Sequence, residues 1–207
     1  MSFPNAYKGI SRILSAQCIQ LICSVLTIIG AVLAIVYSLN STDYVTLTEI
    51  SGTVVLIAMI FGIIAIIMNL VGISTARKDD SQFSTAFIFC VISLILGIAA
   101  GVIELINPTI ADWISFVQKI ASFAVIEHVV AGIISLATQL KDQEVADLAR
   151  KIRTIISILY CVAIILSVIG NVDKSLTNIF SVADVILEMA VFIVYIVLLT
   201  KAKKMLA

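Results

Sequence analysis

Six long apolar runs, separated by short polar segments, dominate the pattern of the chain. They lie near 17–38, 50–73, 83–106, 115–136, 154–170 and 179–200. An α-helix needs roughly 20 residues to cross about 30 Å of hydrocarbon, and most of these runs reach that length, the fifth being the shortest. The pattern predicts an all-α integral membrane protein, with one six-helix membrane domain over residues 1–207 and no soluble domain.

Small and weakly polar residues recur within the runs at spacings of three and four. This spacing places them on one face of a helix, where small side chains let two backbones approach closely inside a membrane. We therefore predict that these faces pack inside a helical bundle and that large apolar side chains face lipid. The helix-packing positions predicted in this way include Gly62, Asn69, Gly97, Gly101 and Gly132.

Two further features concern helix continuity. Both prolines, Pro4 and Pro108, lie outside the runs, so continuous helices are expected. The charged segment 141–153 carries Val145, Leu148 and Ile152 at helical spacing. We expect a helix in this segment that either lies on the membrane surface or extends the fifth span.

The basic residues are distributed unevenly between the two sides of a six-span chain. Eleven of the thirteen Lys and Arg residues fall on the side of the N-terminus, and only Lys119 and Lys174 fall on the other. Short loops rich in Lys and Arg remain cytoplasmic. The distribution predicts both termini in the cytoplasm, a location in the cell membrane, and three helical hairpins at about 8–78, 79–141 and 142–204.

The ends of the even-numbered runs resemble one another. Thr75, Thr138 and Thr200 each precede a lysine by three residues, and the threonines are 63 and 62 residues apart. A triplicated hairpin of constant orientation would give a pseudo-threefold axis along the membrane normal. Chance similarity between apolar segments is an equally good explanation.

The composition supports the membrane class and narrows the partners. The chain is 61% hydrophobic and 13% charged, with a mean hydropathy of +1.19, whereas soluble domains are about half apolar and a quarter charged. The expected partner is the lipid bilayer; no basic–aromatic pattern points to nucleic acid. The four cysteines lie within runs and form no C-x-x-C pair, so no metal or cofactor is expected.

Four acidic residues lie inside or at the edges of the runs: Glu104, Glu127, Asp184 and Glu188. A charge at the bilayer centre costs roughly 2.5–3.5 kcal/mol on insertion scales, so acids there are rare and usually functional. Glu104 and Asp184 can reach the outer headgroups from the ends of their spans. A span shortened to exclude Glu127 or Glu188 would keep only about twelve residues, too few to cross without severe thinning. These two acids are therefore the strongest candidates for a site.

The predicted orientation places the acids in the outer half or near the middle of the membrane, away from the basic rim. Asp184 and Glu188 stand one turn apart on one helical face, which Tyr195 continues. Such acids can be protonated, bind a cation, or line a water-filled vestibule. Glu127 and the neighbouring His128 can share a proton site; the alternative is a neutral His128 hydrogen-bonded to another helix.

Two functions follow as hypotheses. The first is a small channel, permease or other transport protein for protons, cations or a small solute, with Glu127, His128, Glu188, Asp184 and Glu104 as candidate binding residues. The second is a non-transporting scaffold, regulatory or assembly subunit that pairs with a membrane-protein partner or a second copy. An enzyme is not expected, because neither a G-x-S-x-G nucleophile context nor an H-E-x-x-H motif is present.

Overall fold

A computed structural model describes residues 3–39, 44–172 and 177–207. For residues 31–39, 44–52, 55, 171 and 177–182 it describes the backbone but not the side chains. The regular elements of the described ranges are α-helices: α1 (Pro4–Leu39), α2 (Tyr44–Ala76), α3 (Ser81–Glu104), α4 (Pro108–Gln139), α5 (Gln143–Val172) and α6 (Thr177–Leu206). All six are long and apolar enough to cross a membrane, which confirms the predicted all-α class and the six apolar helices.

Helices α1 and α5 begin about three turns before their apolar runs. The added turns are amphipathic, and they bury Ile10 and Ile13 of α1 and Ala146 and Ala149 of α5 completely. Burial of one apolar face stabilises a helix whose other face is charged. Of the two alternatives for segment 141–153, extension of the fifth helix is the one observed, since α5 runs without a break from Gln143.

Side-chain caps and prolines mark the helix starts. Asp80 Oδ1 accepts from the backbone N–H of the second residue after it at 2.8 Å, at the start of α3. At the start of α4, Asn107 Oδ1 accepts from the backbone N–H of Ile110, the third residue after it, at 3.2 Å, and Pro108 is the first helical residue. Pro4 likewise begins α1, and a proline in the first turn gives up an N–H that has no helical partner. The expected continuity of the helices is therefore confirmed over the described residues.

The turn between α4 and α5 is a Schellman motif centred on Lys141. The N–H of Lys141 donates to Thr138 O at 3.1 Å, and the N–H of Asp142 donates to Ala137 O at 2.9 Å. Closing these two bonds requires a left-handed residue, and Lys141 has φ +58°. Asp142 Oδ1 then accepts from Val145 N at 3.1 Å and begins α5.

The six helices contact one another in chain order and close into a ring. The most extensive contacts join α1 to α2, α3 to α4 and α5 to α6. Further contacts join α2 to α3, α4 to α5 and α1 to α6, and α4 also touches α6. Helices α4 and α6 therefore each have three helical neighbours, and the other four helices each have two in these contacts.

Most basic residues gather at one end of the bundle, called here the basic end. Three polar contacts bring its segments together: Asn5 Nδ2 to Asp79 Oδ1 (2.8 Å), Ser135 Oγ to Asp80 Oδ2 (2.6 Å) and Lys201 Nζ to Glu144 Oε1 (3.5 Å). The start of α1, both α2–α3 and α4–α5 turns, and the end of α6 therefore lie together. Lys119 lies in the half nearer the opposite end, and Lys174 lies outside the described residues.

The tightly packed core lies toward the basic end. Its largest fully buried side chains include Tyr195, Phe83, Ile133 and Leu198, which come from α6, α3 and α4. At the opposite end, Leu105 and Ile106 between α3 and α4 are 89% and 82% exposed. The exposed large apolar side chains form the surface that a bilayer would cover.

Two of the predicted packing glycines lie in close contact with neighbouring side chains. A Cβ at Gly132 would lie 2.7 Å from the ring of Phe83, and one at Gly97 would lie 2.8 Å from Gln118 Nε2. Asn69 is half-buried on α2. At Gly62 and Gly101, in contrast, a Cβ would meet nothing within 4 Å, so these two positions make no close helix contact.

Helical periodicity explains the difference at Gly101. A residue advances about 100° around the helix axis, so seven residues return close to the same face and eight overshoot it by about 80°. Ser93, which bonds Ser122 of α4 at 2.7 Å, is seven residues before Ala100 and eight before Gly101. Accordingly Ala100 is buried and Gly101 is exposed.

Candidate functional site

Three acidic or basic side chains and one hydroxyl meet where α4, α5 and α6 approach one another. Lys119 Nζ of α4 pairs with Asp184 Oδ2 of α6 and lies 3.7 Å from Glu188 Oε1. It also donates to Ser167 Oγ of α5 at 3.2 Å. We call these four residues the lysine cluster. The Lys119 side chain is only 12% exposed, and those of Asp184 and Glu188 are 23% and 40% exposed.

The lysine cluster holds more negative than positive charge when its groups are ionised. Two carboxylates share a single ammonium group, and Asp184 Oδ1 is buried without a hydrogen-bond partner among the described residues. Burying a polar atom without a partner is costly, and burying net charge is costlier. The cluster is therefore a place where an additional proton or cation lowers the free energy of the folded protein.

Lys119 is the part of this cluster that the sequence did not reveal. The count of basic residues on each side of the membrane assigned Lys119 to the outer side. In the structure Lys119 lies eleven residues into α4, about 16 Å from the helix start. The position of Lys119 along its apolar run is the signal that could have revealed this contact. A lysine inside the fourth run and acids inside the sixth stand at comparable distances from the same end of the bundle.

A second charged group, the arginine cluster, joins Glu127, Arg153 and Ser157. Arg153 Nε donates to Glu127 Oε2 at 2.6 Å, and Ser157 Oγ donates to Glu127 Oε1 at 2.7 Å. Each carboxylate oxygen thus has a donor. Glu127 was expected away from the basic rim, and this expectation is wrong. It lies about 18 Å from the end of α4 at the basic end, where the extended α5 brings Arg153 opposite it.

His128 faces a different helix from Glu127. Its Nδ1 lies 3.1 Å from Gln82 Oε1 of α3, and its ring stacks on Phe89 with centroids 5.6 Å apart. Because a carboxamide oxygen only accepts, this contact is a hydrogen bond in the tautomer that has its proton on Nδ1. Adjacent residues point about 100° apart on a helix, so Glu127 contacts α5 while His128 contacts α3. The geometry matches the alternative of an imidazole bonded to a neighbouring helix and does not bring the two groups into a shared site.

Glu104 takes no part in either cluster. It is the last residue of α3, at the opposite end, and it is exposed. Among the described residues the structure gives it no hydrogen bond or ion pair. Its position agrees with a carboxylate that reaches the headgroup region from the end of a span.

An aromatic pair separates the two clusters. Phe123 of α4 lies between Lys119 and Glu127 along the helix, and its ring contacts Tyr160 of α5 with centroids 4.8 Å apart. Tyr160 is buried. Both clusters and this pair lie at the same α4–α5 interface.

Among the described residues, no three His, Cys, Asp or Glu side chains come together in a way that could hold a metal ion. The six apolar helices indicate a multi-pass membrane protein with two internal charge clusters, and this is the class that the fold and site define. The chain matches no protein-family model, no curated protein and no solved structure.

Proposed function

We propose that the protein is a small transport protein of the cell membrane that exchanges protons or a small cation at the lysine cluster. The observation that carries the proposal is the excess of carboxylate in this cluster, where Asp184 and Glu188 share Lys119. Glu188 is the more exposed acid and the farther from the ammonium group. It is therefore the residue at which the extra proton or cation binds.

The energetics favour exchange at this site. A carboxylate inside a membrane that is not matched by a base must bind a proton or a cation, or contact water. Asp184 is neutralised by its ion pair with Lys119, whereas Glu188 is only within reach of the same ammonium at 3.7 Å. Uptake and release of one positive charge at Glu188 therefore alternate the cluster between neutral and negative states.

The proposed orientation puts the basic end in the cytoplasm and the lysine cluster toward the outer face. The positive-inside rule supports it, because eleven of the thirteen Lys and Arg residues occupy the basic end. In this arrangement the helices form three antiparallel hairpins with both termini inside. The extensive contacts of α1 with α2, α3 with α4 and α5 with α6 support the hairpins, and the threonine–lysine spacing supports a triplicated unit.

Flux through purified protein in liposomes tests the proposal. An imposed pH gradient, and separately a Na⁺ or K⁺ gradient, should dissipate faster through wild type than through empty liposomes. Glu188→Gln removes the exchanging charge and should reduce that flux by about 10-fold or more. Glu104→Gln is the matched control, because Glu104 is an exposed acid outside both clusters. A Glu188→Gln protein with wild-type flux would refute the assignment.

A second candidate is a non-transporting scaffold or assembly subunit. It is favoured by the pairing of Glu127 with Arg153 and of Asp184 with Lys119, because acids paired within the chain can hold its helices together without binding a transported ion. The open position at Gly62 leaves a face for a membrane-protein partner or a second copy. Mild solubilisation followed by mass measurement distinguishes the candidates. A stoichiometric partner or oligomer together with no flux supports the scaffold, and a monodisperse monomer opposes it.

A further inference from the structure

A stripe of polar side chains on α5 runs from one charge cluster to the other. It consists of Arg153, Ser157, Tyr160 and Ser167, at spacings of four, three and seven residues. These spacings return to one face of an α-helix. The observed contacts confirm the common face, because its members bond or pack against Glu127, Phe123 and Lys119 of α4.

Tyr160 occupies the gap between the clusters. Its side chain is 7% exposed. Ser167 of α5 and Asp184 of α6 both meet Lys119, and α5 and α6 are antiparallel, so Tyr160 lies about one helical turn beyond Glu188 along the bundle. Tyr195 of α6 belongs to the same buried core as Tyr160. On the other side, Ser157 stands one turn earlier on α5 and already donates to Glu127 Oε1 at 2.7 Å.

The Phe123–Tyr160 pair also limits what can pass. Two aromatic rings with centroids 4.8 Å apart lie at the α4–α5 interface between the clusters, so a metal cation would have to give up water ligands to pass between them. A hydroxyl group can accept a proton on one lone pair while releasing its own proton on the other side. The layer is therefore suited to protons and unsuited to hydrated cations.

On the basis of the function proposed above, we propose that the transported species is the proton and that Tyr160 relays it between the two clusters. Protonated Glu188 gives its proton to the phenol oxygen as the phenol proton passes to Ser157 Oγ, through a bridging water where the side chains do not touch. Ser157 in turn passes its hydroxyl proton to the Glu127 carboxylate. Glu188 ends ionised and Glu127 ends neutral, and both hydroxyl groups are restored.

The final acceptor is suited to release the proton at the basic end. Protonation of Glu127 Oε1 removes the charge that holds Arg153, whose side chain is about half exposed. Arg153 can then turn toward the basic end and admit water to the neutral acid. Loss of the proton to that water restores the ion pair and resets the relay.

The test compares Tyr160→Phe with Tyr195→Phe in proton-flux liposomes. Both variants remove one buried hydroxyl and keep the ring, so they match in volume and burial. Tyr160→Phe should reduce proton flux by about 100-fold, the usual size of a lost proton-transfer group, and Tyr195→Phe should leave it within about twofold. Ser157→Ala, which removes the next group of the relay, should also reduce it.

A second measurement separates the relay from the binding site. Infrared spectroscopy should show a protonated-carboxyl band that Glu188→Gln removes and Tyr160→Phe retains. Wild-type flux in Tyr160→Phe would overturn the relay and leave the proposed function standing. Absence of proton flux in wild type would overturn both, and loss of the Glu188 band in Tyr160→Phe would show that Tyr160 shapes the site and relays nothing.

Discussion

Close contact between α1 and α2 near the basic end predicts a large difference between two Gly→Ala substitutions. A Cβ at Gly9 would lie 2.5 Å from the carbonyl oxygen of Gly72, and 2.7 Å and 2.8 Å from the Cβ and N atoms of Ala76. Two of these three atoms are backbone atoms, and a helix backbone cannot move aside as a flexible side chain does. A Cβ at Gly101 of α3 would meet nothing within 4 Å.

The expected energies follow from these distances. Overpacking a tight contact costs about 1–3 kcal/mol, and the involvement of backbone places Gly9→Ala near the upper value. Alanine in a helix interior is favoured over glycine by about 1 kcal/mol at both positions. Gly9→Ala should therefore destabilise the protein by about 2 kcal/mol, and Gly101→Ala should stabilise it by up to about 1 kcal/mol.

Thermal unfolding in a mild detergent measures the difference. For a chain of this length each kcal/mol changes Tm by about 2–4 °C, so Gly9→Ala should lower Tm by about 4–8 °C. Gly101→Ala should raise Tm by about 2–4 °C or leave it unchanged. The fluorescence of Trp113, the single tryptophan, reports the transition. A Gly9→Ala protein that melts at or above the temperature of Gly101→Ala would show that close packing is not the reason for glycine at this position.

Two further substitutions test the turn at the basic end and the arginine cluster. Lys141→Gly relieves a left-handed backbone and should stabilise the protein by about 1 kcal/mol, whereas Lys141→Ala, which keeps the Cβ, should bring no such gain in the same melting assay. Arg153→Gln leaves Glu127 without its base and should cost about 1–2 kcal/mol, less than for a fully buried pair because Arg153 is half exposed. Adding Glu127→Gln should recover part of that loss, and additive effects of the two changes would contradict a direct interaction.

The helices were predictable because their signal is local. Runs of apolar residues define six helices whatever their neighbours are, and the prolines mark helix starts by backbone chemistry alone. The early start of α1 was not predicted, because the turns that contain Ile10 and Ile13 also carry Lys8 and Arg12 and precede the first apolar run. The choice of Ala100 over Gly101 as the packing residue depends on which face of α3 meets α4, as the Ser93–Ser122 bond shows, and a single run does not contain this information.

The candidate site was only half predictable for a related reason. Each acid was identifiable from its position in an apolar run, but its partner depends on the register between two helices. Glu127 pairs with a residue 26 positions away, and Asp184 pairs with one 65 positions away. Counting Lys and Arg by side gave the position of most basic residues. The same count did not show that Lys119 and Arg153 reach into the bundle, because it treats every basic residue as part of a loop.

The lengths of their spans made Glu127 and Glu188 equally strong candidates for a site, but their hydrogen bonding differs. Glu127 has a donor for each carboxylate oxygen, from Arg153 and from Ser157, so its ionised form is stabilised where it stands. The lysine cluster offers one ammonium group for two carboxylates. A positive charge that enters the bundle is therefore most strongly attracted to Glu188, while Glu127 accepts one only by giving up an existing ion pair. In the proposed function, this difference favours the lysine cluster as the site of uptake and the arginine cluster as the later acceptor.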